Sequence, residues 1–411
     1  MIHYHASWVV PVSAPPIRDG WVATDRGRIV AYGRTGDGSP HDERRPVPDD
    51  QEIDLGEAAI LPGLVNAHTH LELSYLRDQL APSSTFVAWI RGVMAARRER
   101  PDPEAPEILD AVDRAIAESI ECGTAVVGDI TNTLVTMPRL MQSPLAALVF
   151  YELIRFNAPD ADGLVDAALS EIEARRPNER VRASLAAHAP YSVAPLVFRA
   201  IKRATDREPC LPRSVHLSES VEEMEFIEKG TGPWRELLES LGVWDSGWKA
   251  PGVTPVQYLE GAGFLDSHVL AVHGVQMTPE DLSTLAARGS TLVTCPRSNG
   301  HTGAGAPPLE EFYKAGVRVA VGTDSLASAP DLNVFAELAT MRALAPTVPA
   351  AALLDSATWQ GARALGFDAE YGTIEPDKRA RLLAVAVPSG TDDVEEYLVG
   401  GVEPDQIRWV E

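Results

Sequence analysis

Residues 61–70 read LPGLVNAHTH, an apolar run that ends in two histidines, His68 and His70. On a strand, residues i and i+2 point to the same face, so both imidazoles project together from the strand's end. Outward from this stretch the same rhythm recurs. Short apolar runs alternate with longer helix-like segments over about 61–370: TAVVGDI, LAALVFYE, VRASLAAHAP, SVHLSE, HVLAVHG, STLVTCPRSN and VRVAVGTD follow the first. Between them, EILDAVDRAIAESIECG and TPEDLSTLAARGS read as helices. Thr278 opens the second as N-cap, with Asp281 completing a capping box less well than Glu would. Eight strands alternating with helices predict a (β/α)8 barrel, an α/β fold for which ~250 residues or more is usual. The polar residues closing these runs are His68, His70, Asp129, Glu152, His188, His216, His273 and Asp324. In a barrel they stand at the C-terminal strand ends, where active sites are built. Serines or lysines there would mean little, but histidine and aspartate at so many ends point to chemistry.

The flanks have a different texture. WVVPV, GWVATDRGRIVAYG and the run to AAILP alternate apolar and polar residues, with Gly and Asp at the turns. Residues 34–51, RTGDGSPHDERRPVPDDQ, read as a polar loop. The tail beyond Tyr371 resembles the start: GTIEPDKRARLLAVAV, then EEYLVGGVEPDQIRWVE. Residues 1–60 and 371–411 are therefore expected to pair in one small domain beside a barrel of 61–370.

The chain has 411 residues, enough for one large barrel with an appendage or for two to three ordinary domains. Its net charge, −23, argues against a nucleic-acid backbone or an anionic membrane as partner. It leaves room for a local basic pocket that takes an anionic small molecule. Cys122, Cys210 and Cys295 are scattered and form no CxxC pair, so neither a disulfide framework nor a thiolate zinc site is expected. The start of the chain lacks a basic segment followed by a long apolar one, and Glu152 cuts the longest apolar run, PLAALVFYELI. A reducing cytoplasm is the expected location. The oligomeric state is left open, with a homodimer as one candidate.

Neutral imidazole suits zinc and iron. An isolated HxH is weak evidence, but three or four ligands are what a catalytic metal with an open water position needs. His68, His70, His216 and Asp324 supply that number. Singly, His216 reads equally well as a buried core residue and Asp324 as a helix cap. Together, at separate strand ends, they read as one site. Three imidazoles and one carboxylate leave a divalent ion net positive, which acidifies bound water. Glu219, three residues after His216, is placed to move a proton to a substrate nitrogen. Its plainer reading is a cap for the helix SVEEMEFIEKG. His273 is not needed as a ligand and is a candidate to orient the attacking water. His188, before Pro190, is placed to contact substrate. His301 is a candidate to line the pocket, whereas His3, His5, His41 and His268 have no such setting.

LPGLVNAHTHLELS, HAPYS, HLSES, AVHG, CPRSN and GTDSLAS, in this order, resemble the amidohydrolase superfamily over nearly the whole chain. That resemblance implies a (β/α)8 barrel with a small β-sandwich formed from both chain ends. In its branch acting on adenine-type and cytosine-type rings it implies one divalent metal, zinc first and iron or manganese otherwise. His68, His70, His216 and Asp324 would be ligands, Glu219 the proton shuttle, and His273 and Asp324 the groups that hold and deprotonate water. No strand end offers a lysine for a carbamylated bridge, and His188 ends the fourth strand instead, which argues against the binuclear branches. GTGPWRELLESLG, TPVQYLEGAGFLD and VTCPRSNGH are similar to 6-aminodeoxyfutalosine deaminases of menaquinone biosynthesis. Departures are KRARLL, where relatives often have Gly-Lys-x-Ala-Asp-Leu, and Glu72, a candidate contact to ribose or ring.

The expected activity is thus hydrolytic deamination of a nucleoside, first of 6-aminodeoxyfutalosine. Adenosine, S-adenosylhomocysteine or methylthioadenosine come second and triazine dechlorination third. An inactive barrel serving as a binding protein is the alternative of another class. A benzoate-bearing substrate needs a local cation in so acidic a chain, and Arg155 and Arg297 on strand-end loops are the candidates.

Overall fold

A computed structural model describes residues 1–36, 51–207 and 209–410. His41 and most of the polar loop expected at 34–51 lie outside the described residues. β1 (Ile2–Val9) pairs antiparallel with β2 (Ile17–Asp25), and β2 with β3 (Arg28–Arg34). The other edge of β1 takes β4 (Gln51–Asp54) and β5 (Ala58–Pro62), both parallel. Strands Leu382–Ala386 and Ile407–Val410, from the far end of the chain, extend this sheet beyond β5. The two chain ends therefore share one seven-stranded sheet, with Tyr4, Val9, Val22, Ile60, Leu382 and Val410 in its own core.

The second sheet has eight parallel strands that neighbour one another in chain order. They are β6 (Leu64–Thr69), β7 (Thr124–Thr131), β8 (Ala146–Leu153), β9 (Val181–Ala187), β10 (Arg213–Leu217), β11 (Val269–His273), β12 (Thr291–Thr294) and β13 (Arg318–Val321). Every residue of β6, β7, β10, β11 and β12 is buried, as expected for parallel strands covered on both faces. Helices supply the cover. Pro106–Glu121 starts with a proline, whose missing N–H costs nothing there, and buries Ile108, Val112, Ala115 and Ser119 at helical spacing. In Pro279–Arg288 both halves of the box between Thr278 and Asp281 are formed, so aspartate serves where glutamate is usual, and Gly289 ends the helix in the left-handed conformation.

The sheet closes on itself between β13 and β6 through a bridge of Thr69 with Asp324. This approach demands glycine. A Cβ on Gly322 would lie 2.5 Å from the carbonyl oxygen of His68, and one on Gly128 would lie 2.4 Å from that of Ala67. The closed barrel places eight strand ends around one opening, and the polar residues singled out above surround it.

Candidate active site

His68 and His70 leave the end of β6 with ring centroids 4.9 Å apart, and His216, on β10, lies 5.1 and 5.5 Å from them. Asp324, just past β13, sets Oδ1 3.6 Å from His70 Nε2 and 3.9 Å from His68 Nε2. Ligand atoms of His68, His70 and Asp324 all fall within 4.8 Å of one another. Burial first, reinforced by neighbouring charges, holds His68 well below the ordinary histidine value and brings His70 down to about 3. Burial likewise brings His216 to about 4, against the pull of Glu152. At neutral pH these rings are uncharged, the form that ligates metal. His216 Nδ1 lies 2.9 Å from the carbonyl oxygen of His188, which can only accept, so Nε2 carries the free lone pair. Both ring nitrogens of His68 are buried with no hydrogen-bond partner among the described residues. Such groups are rare without a ligand, and the donor set fits a divalent cation.

Backbone strain marks the same spots. Ser218, His273 and Asp324 have φ of +52°, +79° and +59°, the left-handed region that costs a side chain energy and clusters at functional sites. Two devices hold them. The Glu223 carboxylate accepts the backbone N–H groups of Ser218 at 3.0 Å and Glu219 at 2.9 Å. Ser298, on the short helix Pro296–Thr302, donates to Asp324 Oδ2 at 2.5 Å, which leaves Oδ1 turned to the histidines. The next residue of that helix, Asn299, lies 3.0 Å from His273 Nδ1 through its Nδ2.

Glu219 Oε2 stands 3.6 Å from His273 Nε2, and both side chains are buried. Burial, then the neighbouring Asp324, pushes the Glu219 carboxyl well above its ordinary pKa, a shift that favours its proton-bearing form. The cap of helix Val221–Lys229 is Ser220, whose side chain accepts from Glu223 N–H, so Glu219 is spared that duty.

His70, His216, Glu219, His273 and Asp324 form the floor of a cavity of about 500 Å³. Its walls include Phe86, Trp89, Tyr191 and Trp234, the last two stacked at 3.7 Å, and exposed Ile154, Leu241 and Val243 stand at its lining. Such a pocket, apolar with a few convergent polar groups, suits a small molecule with a flat ring. No helix among the described residues is long and apolar enough to cross a membrane.

The sequence profile of the amidohydrolase family matches residues 59–403. The chain belongs to this family. It is a metal-dependent hydrolase acting on C–N bonds. This amidohydrolase is 33% identical over 362 residues to an aminodeoxyfutalosine deaminase of Deinococcus radiodurans, covering 84% of this chain and 82% of that one. It is 31% identical over 387 residues to a 5-methylthioadenosine/S-adenosylhomocysteine deaminase of Moorella thermoacetica, covering 92% and 83%. A solved adenosine deaminase of Xanthomonas campestris with bound zinc is similar at a TM-score of 0.83 and 28% identity, over 99% of this chain and 90% of that one.

Two expected substrate contacts of the amidohydrolase are not brought to the cavity. Arg297 turns away from it and is engaged by Glu337 at 2.8 Å and Asp331 at 2.7 Å, so it braces the helix that carries Ser298 and Asn299. Glu72 is buried behind the wall, where Thr131 and Thr133 donate to its Oε2 at 2.6 and 2.8 Å and Arg97 to its Oε1 at 3.2 Å. Those bonds take three of its roughly four acceptor sites and hold it away from the cavity lining. His301 lies 3.0 Å from the carbonyl oxygen of Leu80 and does not line the cavity. His188 does line it, with Nδ1 2.6 Å from Ser192 Oγ. Arg155 lines it too, exposed, and without a side-chain ion pair among the described residues. Arg97 and Asn132, also at the wall, carried no sequence signal. Arg97 reads as one of several basic residues ending a helix, a position the helix dipole alone would explain.

Proposed function

We propose that this amidohydrolase removes the exocyclic amino group of an adenine-type ring, with 6-aminodeoxyfutalosine as first-choice substrate. The observation that carries the reading is the pairing of Glu219 with His273 on the same floor as the His68, His70, His216 and Asp324 cluster. The relatives are named as deaminases of adenine nucleosides, which supports it. His68, His70, His216 and Asp324 would hold one divalent ion, zinc first and iron or manganese otherwise. When bound, that ion supplies a Lewis acid and lowers the pKa of water. Asp324 Oδ1 takes the proton of the attacking water, and His273 Nε2 holds its oxygen toward the ring carbon that bears the amine. Glu219 gives its proton to the adjacent ring nitrogen and the carbon becomes tetrahedral. The proton taken up by Asp324 then passes to the amino group, which leaves as ammonia, and the hydroxyl proton of the collapsing carbon returns to Glu219. Phe86, Trp89 and Trp234 keep bulk water from the ring.

Arg155 distinguishes the substrates. Its guanidinium at the cavity lining, without an ion pair among the described residues, suits the benzoate of 6-aminodeoxyfutalosine, which a chain of charge −23 would otherwise repel. The test compares kcat/KM for 6-aminodeoxyfutalosine and for adenosine. A higher value for the carboxylate substrate is expected. Equal values would move adenosine-type substrates to first place.

A further inference from the structure

Three carboxylates line the cavity among the described residues: Glu219, Asp324 and Glu152. The first two belong to the reacting floor. Glu152, at the end of β8, has no part in that chemistry, yet it is 95% buried and faces the same space, being 5% exposed. Its two oxygens differ. Oε2 accepts from Asn132 Nδ2 at 2.9 Å. The Asn132 amide cannot be turned round, because its Oδ1 accepts from Arg97 Nη1 at 2.9 Å and a guanidinium only donates. Arg97 in turn is held by Glu72 at 3.2 Å. Glu72, Arg97 and Asn132 thus form a chain of oriented bonds that ends by fixing one oxygen of Glu152.

The other oxygen, Oε1, is buried and has no hydrogen-bond partner among the described residues. His216 Nδ1 lies 3.5 Å from it, but the Nδ1 proton goes to the carbonyl oxygen of His188 at 2.9 Å. A buried carboxylate oxygen without a donor is costly, and a fixed chain of bonds that presents one to a cavity is a built acceptor. Around the barrel, β8 carries none of the reacting groups; the following β9, with His188, lies between it and β10, which carries His216 and leads to Glu219, so Glu152 and His188 form a polar arc beside the floor. A ring seated on the floor would extend its sugar toward this polar arc.

We infer that Glu152 Oε1 accepts a ribose hydroxyl of the substrate, with Asn132 and Arg97 as positioning residues behind it. This inference rests on the nucleoside reading above and assigns the sugar subsite within it. A carboxylate accepts the ribose 2′-hydroxyl in the dinucleotide-binding folds, and the same chemistry suits a nucleoside. The competing role is orientation of His216, in which case Glu152 would act through metal retention and not through the sugar.

Full-length, zinc-loaded wild type and Glu152→Gln are compared on adenosine and on 2′,3′-dideoxyadenosine, with metal content measured alongside. Glutamine is isosteric and neutral, so burial does not oppose it. For wild type, removing both hydroxyls should lower kcat/KM roughly ten- to hundredfold, as for a hydrogen bond to a charged group. Glu152→Gln should lose a similar factor on adenosine, chiefly through KM, lose little more on the dideoxy compound, and keep its zinc. Equal further losses on both nucleosides, or loss of zinc, would overturn the inference while leaving deamination intact. Wild type that releases no ammonia from either probe or from 6-aminodeoxyfutalosine would overturn the nucleoside reading itself.

Discussion

Thr69 Oγ1 donates to the backbone carbonyl of Asp324 at 2.9 Å, while Asp324 N–H donates to the carbonyl of His68 at 3.0 Å. These bonds join the last barrel strand to the first. The same short stretches carry His68, His70 and Asp324, so closing the barrel and assembling the candidate metal cluster are one event.

Gly322 sits in that seam. In Gly322→Ala the new methyl would meet the His68 carbonyl oxygen at 2.5 Å and His68 Cβ at 2.8 Å. The strands must part, at a cost of roughly 1–3 kcal/mol. A lowered urea midpoint together with weakened zinc retention is expected. A variant with wild-type stability and zinc content would show that the seam is not as tight as described.

Glu219→Gln keeps size and cannot deliver a proton. Turnover should fall by about two to four orders of magnitude with the metal retained. Unaltered turnover, read as ammonia release, would remove Glu219 from the reaction.

The alternation of apolar runs and helices, and the histidines at their ends, made the barrel and the central cluster legible, because strand burial and i, i+2 spacing are local properties of the chain. Contacts set by tertiary packing were not. Glu72 follows the HTH motif as if to enter the site, yet Thr131 and Thr133 on the next strand's exit donate to its Oε2 and Arg97 to its Oε1. Arg297 and Arg155 look equivalent as loop arginines. The placement of Asp331 and of Glu337, on a helix 40 residues later, makes Arg297 a brace, whereas Arg155 has no ion pair among the described residues. The Arg97, Asn132 and Glu152 chain draws on three distant segments, which no spacing rule connects.

Arg297→Met should act on stability. Burial pushes the Glu337 carboxyl up to about 7 from an ordinary 4.5, even with Arg297 pulling it down. Without that pull the folded pKa rises further. A carboxyl raised in the folded state contributes stability that is full below its unfolded pKa and lost as pH rises through the folded one. The variant should therefore be mildly destabilised at pH 5 and by roughly 1 kcal/mol more at pH 8, about one pH unit above the wild-type folded pKa. Denaturant midpoints at the two pH values check this, and an equal loss at both would contradict it.

Arg155→Met should act on substrate choice. A loss of about 1.5–3 kcal/mol in kcat/KM for 6-aminodeoxyfutalosine, with adenosine nearly unaffected, is expected for a charge-assisted hydrogen bond. Parallel losses on both substrates would show that Arg155 does not read the carboxylate.

The most direct measurement is ammonia release from 6-aminodeoxyfutalosine before chelation, after it, and after zinc is returned, with metal content determined at each stage. One ammonia per substrate from the loaded protein, none after chelation, and recovery with zinc at one ion per chain are predicted. A preparation carrying one ion per chain that releases no ammonia from this or any other adenine nucleoside would contradict the account.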